Sequence, residues 1–236
     1  MNDKIVGFDY RISLRHLDYT AREAQQSDLK TMYRKVHEFL QQDIGGYTSR
    51  KKATTMLMRI WYLVKEEYKD LQKEAFALLS QASEEERPVI HWGMTMLAYT
   101  FFTDLAAELG HFFTLQTEVA PELIGRKMKR LYGDKRRVEV ATTAVLLSMK
   151  SWGILAREKN GKYTMKGKTA VNNKDLRLWL AQVIIRVSKF QALPIEMITS
   201  AAFVFPFKFE LNINEMENRG FSINRQGIDM VMVGLF

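Results

Sequence analysis

The sequence predicts a mainly α protein: an N-terminal helical bundle, a winged-helix-like unit with a β-hairpin, and a mixed α/β C-terminal segment. Three observations predict this class. Helical periodicity fills the first half of the chain, the four prolines all lie outside predicted helix interiors, and Asn160-Gly161 separates two short β-type segments directly after a helix. With 47% hydrophobic residues in 236, the chain can bury a substantial core.

Residues 1–118 form the predicted helical domain, and its first two helices are set by capping residues. Ser27 is expected to cap a helix over about residues 28–42, which Gly45-Gly46 terminates. Ser49 is expected to cap the next helix, whose first turn is basic and whose apolar residues 56, 57, 60, 63 and 64 lie on one face.

The rest of the helical domain continues with a charged segment and one long helix. Residues 66–74 are charged and lead into an apolar stretch at 75–79. Ser83, three glutamates and Pro88 then open a single helix that runs to about Phe113, because acids in a first turn interact favourably with the helix dipole.

Residues 119–173 form the predicted winged-helix-like basic unit. Pro121 and Gly133 bracket one helix, and Asp134 is expected to cap a second that Gly153 ends. Asn160-Gly161 then predicts a type I′ hairpin turn, since both central positions of that turn require positive φ. Helix, tight turn, helix and hairpin is the order of a winged helix-turn-helix, a fold often used on DNA.

Residues 174–236 form the predicted C-terminal segment. A helix is expected over 174–191, followed by short helices and strands, with an apolar stretch at 228–236. Four phenylalanines alternate around Pro206 in an expected extended segment, which places them on one face. They are interpreted as core packing against the helices, with a partner-docking strand as the alternative: Phe203, Phe205, Phe207 and Phe209.

Positive charge is concentrated in residues 126–168, called the basic segment below. It holds thirteen Lys or Arg against three acids, a local net charge of +10, while the whole chain carries +8. Such a surface attracts a polyanion through Coulomb steering and counterion release. Because few aromatic residues lie between the cations, phosphate contact is favoured over base stacking, and at most the first two turns of the second helix, with Thr142 and Thr143, could reach bases.

Double-stranded DNA is therefore the predicted partner, and the candidate contacts are cations. A solvated basic face that serves only packing between partners is the alternative for the main cluster, and a solvated turn is the alternative for the second, at the start of the helix near residue 50. The main cluster consists of Arg126, Lys127, Lys129, Arg130, Lys135, Arg136, Arg137, Arg157, Lys159, Lys162, Lys166 and Lys168, and the second of Arg50, Lys51 and Lys52.

Enzymatic and metal sites find little support in the sequence. It contains no phosphate-loop, dinucleotide, zinc-protease or nucleophile-elbow motif. Asp104, Glu108 and His111 share a helix face, but one Glu-x-x-His motif is insufficient for a di-iron site, and a hydrogen bond at the surface or between helices explains these residues better. We expect a non-enzymatic protein without metal or cofactor.

The chain is expected to be soluble and cytoplasmic, without membrane contact. The absence of cysteine excludes disulfides and thiolate metal sites and fits a reducing compartment. The first twenty residues lack the apolar core of a signal peptide, and no run approaches the roughly 18 to 20 apolar residues of a membrane span.

Several short motifs follow one another between residues 48 and 228. They are Thr48-Ser49-Arg50-Lys51-Lys52, Ile90-His91-Trp92 continuing to Phe102-Thr103-Asp104, Arg136-Arg137, Trp152-Gly153-Ile154-Leu155, Phe205-Pro206-Phe207 and Gln226-Gly227-Ile228. Their order resembles the BrxA family, small proteins of the bacteriophage exclusion (BREX) defence systems. The resemblance covers roughly residues 45–230 as a pattern of helices and spacings.

This resemblance implies a cytoplasmic, helical, non-enzymatic protein with a winged-helix-like part that binds double-stranded DNA beside larger defence components such as a methyltransferase and ATPases. Two other functions stay open. One is a structural adaptor that docks on a larger complex through its aromatic C-terminus. The other is a winged-helix transcriptional regulator, which would dimerise on a preferred operator.

Overall fold

The computed structural model describes residues 6–217, 219–226 and 230–236, and it confirms that the chain is mainly helical. No helix in these ranges combines the length and apolar character that crossing a membrane requires. The helices are α1 (Leu14–Ala24), α2 (Leu29–Phe39), α3 (Tyr47–Trp61), α4 (Lys69–Gln81), α5 (Arg87–Ala98), α6 (Thr100–Leu115), α7 (Pro121–Tyr132), α8 (Arg136–Ser151), α9 (Lys174–Ser188), α10 (Ile195–Thr199) and α11 (Ile213–Met216).

The strands are short and form three small sheets in the described part of the chain. They are β1 (Glu118–Val119), β2 (Leu155–Arg157), β3 (Tyr163–Met165), β4 (Thr169–Ala170), β5 (Ala192–Pro194), β6 (Phe207–Lys208), β7 (Phe221–Gln226) and β8 (Met230–Leu235). The first sheet is antiparallel with the order β1-β3-β2, the second is the parallel pair β4-β6, and the third is antiparallel with the order β5-β8-β7.

Three predicted helix caps differ from the structure. Asp28, not Ser27, caps α2, and its Oδ1 accepts hydrogen bonds from the next turn at 3.0 and 3.1 Å. Ser49 lies inside the first turn of α3, because that helix already begins after Gly46. Asp134 does not cap α8: Lys135 is the N-cap residue, and the carboxylate of Asp134 instead pairs with Lys129.

The long helix predicted after Ser83 is two helices. Ser83 and Glu86 do exchange the reciprocal hydrogen bonds of a capping box, at 3.0 and 3.3 Å. The break falls at Tyr99, whose backbone is extended with φ −137° and ψ 99° between α5 and α6. Its ring is buried and meets the ring of Phe8 edge-on at 5.4 Å, so a tertiary contact holds the chain in this conformation.

The predicted hairpin is confirmed, but its turn differs. Strands β2 and β3 pair with Arg157 opposite Tyr163, and the amide of Gly161 donates to the carbonyl of Glu158 at 2.9 Å. Gly161 has φ +82°, but Asn160 does not have positive φ, because Lys189 is the one non-glycine with positive φ among the described residues. The loop is therefore a three-residue turn closed by a left-handed glycine, which is a different solution from type I′.

The aromatic C-terminal segment packs into the core, as predicted, although only part of it is extended. Residues 202–204 form a 3₁₀ turn and the following strand is β6. Phe205 and Phe207 meet the buried ring of Trp92 edge-on at 5.8 and 5.5 Å. The indole of Trp92 also meets Trp152 at 6.1 Å and donates to the carbonyl of Phe203 at 3.0 Å.

Trp92 therefore contacts all three predicted segments, and one continuous hydrophobic cluster runs through them. The division at residues 118 and 173 stays a prediction. Strand β1 begins at Glu118, one residue before the predicted start of the second unit. Of the motif at 226–228 and the apolar stretch at 228–236, residues 227–229 lie outside the described residues.

Candidate nucleic-acid interface

The basic segment is part of a unit in which a helix, a strand, two helices and a hairpin follow one another from α6 to β3. Strand β1 leaves α6 and pairs with β3, opposite the side that β2 occupies, with Val119 facing Tyr163. Pro121 begins α7 at its first position, where a missing N–H costs nothing. Gly133, with φ +88°, ends it and allows the tight turn into α8.

Helix α8 is largely buried and exposes only a narrow stripe. Its exposed residues include Arg136, Val140 and Thr143, which are spaced by three and four and therefore share one face. Thr142 is buried and donates to the carbonyl of Val138 at 2.8 Å, so the expectation that it could reach bases is wrong. Thr143 is the exposed member of that pair.

The N-terminal segment before α1 lies against α8. The backbone amide of Ile12 donates to Ser148 Oγ at 3.0 Å, and its carbonyl accepts from the indole of Trp152 at 2.9 Å. Farther along, Arg137 Nε and Nη2 donate to the two carboxylate oxygens of Asp9 at 3.2 and 3.1 Å. Asp9 thus occupies the guanidinium face that a phosphate would use.

A groove of about 320 Å³ lies between this segment, the loop before α3 and the exposed stripe of α8. Its walls include Arg11, Asp43, Ile44, Val140 and Thr143. The second basic cluster begins three residues after this loop. The stripe of α8 is thereby flanked by protein on one side, which limits how deeply it could enter a DNA groove.

Acids neutralise several cations around the turn between α7 and α8. Lys129 Nζ lies 2.8 Å from Asp134 and 2.7 Å from Glu139, and Arg136 donates to Glu139 at 2.9 Å. The hydrogen bond to Asp134 contributes most to raising the pKa of Lys129, while the bond from Lys129 contributes most to lowering the pKa of Glu139. These contacts order the turn at the expense of free positive charge.

Glu118 holds the hairpin tip to the end of β1. Its Oε2 accepts from Lys162 Nζ and from Asn160 Nδ2, both at 3.1 Å. The bond from Lys162 is the main reason that the pKa of Glu118 is lowered. On the other strand, Arg157 donates to the carbonyl of Gly161 at 3.2 Å, so its guanidinium braces the loop without an acid.

The remaining candidate cations divide into paired and exposed groups. Lys127 lies 3.6 Å from Glu108 of α6, which also confirms an interhelix role for that acid. Lys135 is exposed at the start of α8. Among the described residues, no carboxylate lies within 4 Å of a group of exposed cations on α7, the hairpin and its exit: Arg126, Arg130, Arg157, Lys159, Lys166 and Lys168.

The second basic cluster has mixed roles. Arg50 Nη1 donates to the carbonyls of Ile44 and Gly45 at 2.9 and 2.6 Å, so its side chain closes the loop before α3. Lys51 and Lys52 are exposed. The first turn of α3 has no side-chain cap, which leaves its backbone N–H groups directed outward beside these lysines.

The sequence reasoning missed two buried histidines that each contact a more exposed aspartate. His91 is fully buried, its Nε2 lies 3.0 Å from Asp18 Oδ1, and Arg87 donates to the same oxygen at 2.8 Å. Burial lowers the pKa of His91, so the ring is neutral at pH 7. His16 likewise pairs with Asp43 at 2.9 Å. The aspartate partner lies 73 residues from His91 and 27 residues from His16 in the sequence, so no local sequence pattern indicates either contact.

Two of the three groups considered as metal ligands, Asp104 and Glu108, have partners on α7. Asp104 accepts from the hydroxyl of Tyr132 at 2.8 Å, which ties α6 to α7 as an interhelix hydrogen bond. Within the described ranges, no three His, Cys, Asp or Glu side chains come together as a metal site would require.

No family model, curated protein or solved structure matches this chain.

Proposed function

We propose that this chain binds double-stranded DNA, mainly through phosphates, with the winged-helix-like unit that extends from α6 to β3. The observation that carries the proposal is the order helix, strand, helix, helix, strand, strand, in which the first strand pairs with the last. That order and pairing are typical of winged helix-turn-helix units, which place the helix before the hairpin toward the major groove and the hairpin tip toward the backbone or the minor groove.

Unneutralised charge supports phosphate contact at the hairpin and along α7. Lys159 lies at the loop of the hairpin, Lys166 and Lys168 at its exit, and Arg126 and Arg130 one turn apart on α7. Long exposed cations without acid partners lose little when a phosphate replaces their water. They therefore supply affinity that does not depend on sequence.

The exposed stripe of α8 supports weak base discrimination. Between Arg137 and Lys150 its exposed positions are Val140 and Thr143, which offer a methyl contact and one hydroxyl but no bidentate donor. Arg137 is engaged by Asp9. Binding is therefore sequence-tolerant, which disfavours a conventional operator-specific regulator.

The test is binding of a 20-base-pair duplex across a salt series. If about six phosphates are neutralised, log K against log salt falls with a slope near −5. The variants Lys159→Ala and Lys166→Ala each reduce the slope by about 1. Lys73→Ala, an equal loss of charge on the exposed face of α4, is the matched control and leaves it unchanged.

Absence of duplex retardation at low salt would refute the proposal. Equal weakening by Lys73→Ala and Lys159→Ala would assign binding to net charge rather than to this unit. An accessory role in a BREX-type phage-defence complex is the part of the proposal that rests on the resemblance to the BrxA family. Co-purification with a methyltransferase or ATPase encoded beside the gene tests that part.

A further inference from the structure

A groove of about 640 Å³ runs between α4 and α9, away from the basic segment. One face of α4 forms one wall, and its residues recur at helical spacing: Asp70, Leu71, Glu74, Ala77, Leu78 and Gln81. Residues of α9 form the other wall, and the chain end at Leu235 and Phe236 closes one side. No residue of α6, α7, α8 or the hairpin lines it.

The dimensions of the groove fit a helix. The lining face of α4 spans twelve residues from Asp70 to Gln81, which corresponds to about 16 Å or three helical turns. Its floor is apolar, with Leu71, Leu178 and Trp179 buried and packed together. Trp179 is held in place because its indole donates to the carbonyl of Leu71 at 2.9 Å. Above this floor, the half-buried side chains of Leu78 and Leu235 supply apolar surface that a helix in the groove could contact.

The rim of the groove is acidic, although the whole chain carries +8. Asp175 is paired with Arg219, and Glu67 with Lys65. Asp70 and Glu74, one helical turn apart on α4, have no ion-pair partner among the described residues. Burial raises the pKa of Glu74, and the positive charge of Arg219 partly offsets this rise. Because neither Asp70 nor Glu74 has an ion pair among the described residues, an incoming cation would displace no salt bridge.

Large apolar side chains are exposed at and near the groove. Phe236 is 90% exposed at the end of β8 and lines the groove with Leu235. Phe190, 64% exposed, precedes β5, which pairs with β8. Exposed large aromatics beside an apolar floor are typical of a binding edge.

We propose that this groove binds one amphipathic helix of a partner protein, with its apolar face on Leu78, Leu235 and Phe236 and its lysines or arginines against Asp70 and Glu74. Charge complementarity selects this occupant: the only cation without an acid partner that lines the groove in the described ranges is Arg186, at the far end of α9. The function goes beyond DNA binding, because it would attach the protein to a larger assembly by a separate face.

Two synthetic helices test the chemistry. Both are fluorescein-labelled and amidated, with leucines at positions i, i+3, i+4 and i+7; one carries lysine at all other positions and the other glutamate. Fluorescence anisotropy with the full chain is expected to give about tenfold tighter binding of the lysine peptide. Glu74→Lys weakens the lysine peptide by about fivefold to tenfold. Glu85→Lys, the same charge reversal on the exposed turn before α5, leaves its binding within about twofold.

Several outcomes would overturn the proposal. Equal binding of the two peptides, equal effects of Glu74→Lys and Glu85→Lys, or no saturable binding of the lysine peptide would each do so. A dimer in sedimentation that Glu74→Lys dissociates would assign the groove to a second copy of this chain instead. Glu74→Gln is the milder variant that keeps the test valid if Glu74→Lys fails to fold. Duplex binding is measured in parallel and is expected to be unchanged, so failure of either proposal is seen separately.

Discussion

Asp9→Asn is expected to strengthen duplex binding. Asp9 is the carboxylate that accepts two hydrogen bonds from Arg137 at 3.1 and 3.2 Å, in a pair whose side chains are 22% and 62% exposed. A phosphate that binds Arg137 must first break this pair. The substitution keeps the size and an acceptor oxygen but removes the charge, so it frees the guanidinium while the backbone contacts of Ile12 with α8 remain.

The expected gain follows from the exposure of the pair. Exposed ion pairs contribute about 0.2–1 kcal/mol, and this is the free energy that DNA no longer has to overcome in the variant. It corresponds to about 1.4-fold to fivefold tighter binding at low salt. One additional phosphate contact also steepens the slope of log K against log salt by up to about 0.9. Only a bound phosphate at Arg137 produces the change in slope.

The assay is fluorescence anisotropy of a labelled duplex at several salt concentrations. Glu85→Gln removes the same charge from an exposed turn outside the basic segment and serves as the control. In the double variant Asp9→Asn with Arg137→Gln, the gain should disappear, because the two substitutions act through one contact. Unchanged affinity and slope in Asp9→Asn, or an equal gain in Glu85→Gln, would refute the reasoning.

Three further predictions concern stability and are read from urea unfolding. Gly93→Ala is expected to destabilise the fold by about 1–3 kcal/mol, because the new methyl group meets the ring of Trp179. Gly125→Ala on α7 has open space around it and is expected to stabilise the fold by up to about 1 kcal/mol. Equal effects of the two substitutions would contradict this reasoning. Ser148→Ala costs about 1–3 kcal/mol, since it leaves a buried backbone N–H of the N-terminal segment unpaired; a neutral result would indicate that water replaces the hydroxyl. His91, neutral in the fold because burial lowers its pKa from the usual 6.5, takes up a proton on unfolding below that pH, so stability falls as pH drops from 7 to 5. His91→Gln should flatten that slope, and an unchanged slope would assign it to other groups.

Elements with strong local signals were predictable from the sequence. Pro121 and Gly133 bracket α7 because each satisfies a backbone requirement that neighbouring residues cannot change. Asn160-Gly161 marks the hairpin for the same reason, although only the glycine adopts positive φ. The sequence could not distinguish a two-residue from a three-residue loop, since both place a glycine at a left-handed position.

Elements set by tertiary contact were not predictable. The break at Tyr99 follows neither glycine nor proline; it arises because the ring is buried against Phe8, ninety-one residues earlier in the chain. Helix starts were misplaced by one or two residues where two capping residues were adjacent, as at Asp28. Propensity ranks such alternatives within a few tenths of a kcal/mol, which packing readily exceeds.

For the candidate interface, a count of charges predicted the region but not the state of each charge. Arg137 and Lys159 are equivalent in the sequence, yet Asp9, 128 residues away, engages the first, while no carboxylate among the described residues reaches the second. The +10 of the basic segment is therefore an upper limit on the charge that DNA can use. Because phosphate affinity depends on cations that lose no partner on binding, the salt slope should follow the exposed, unpaired set rather than the total.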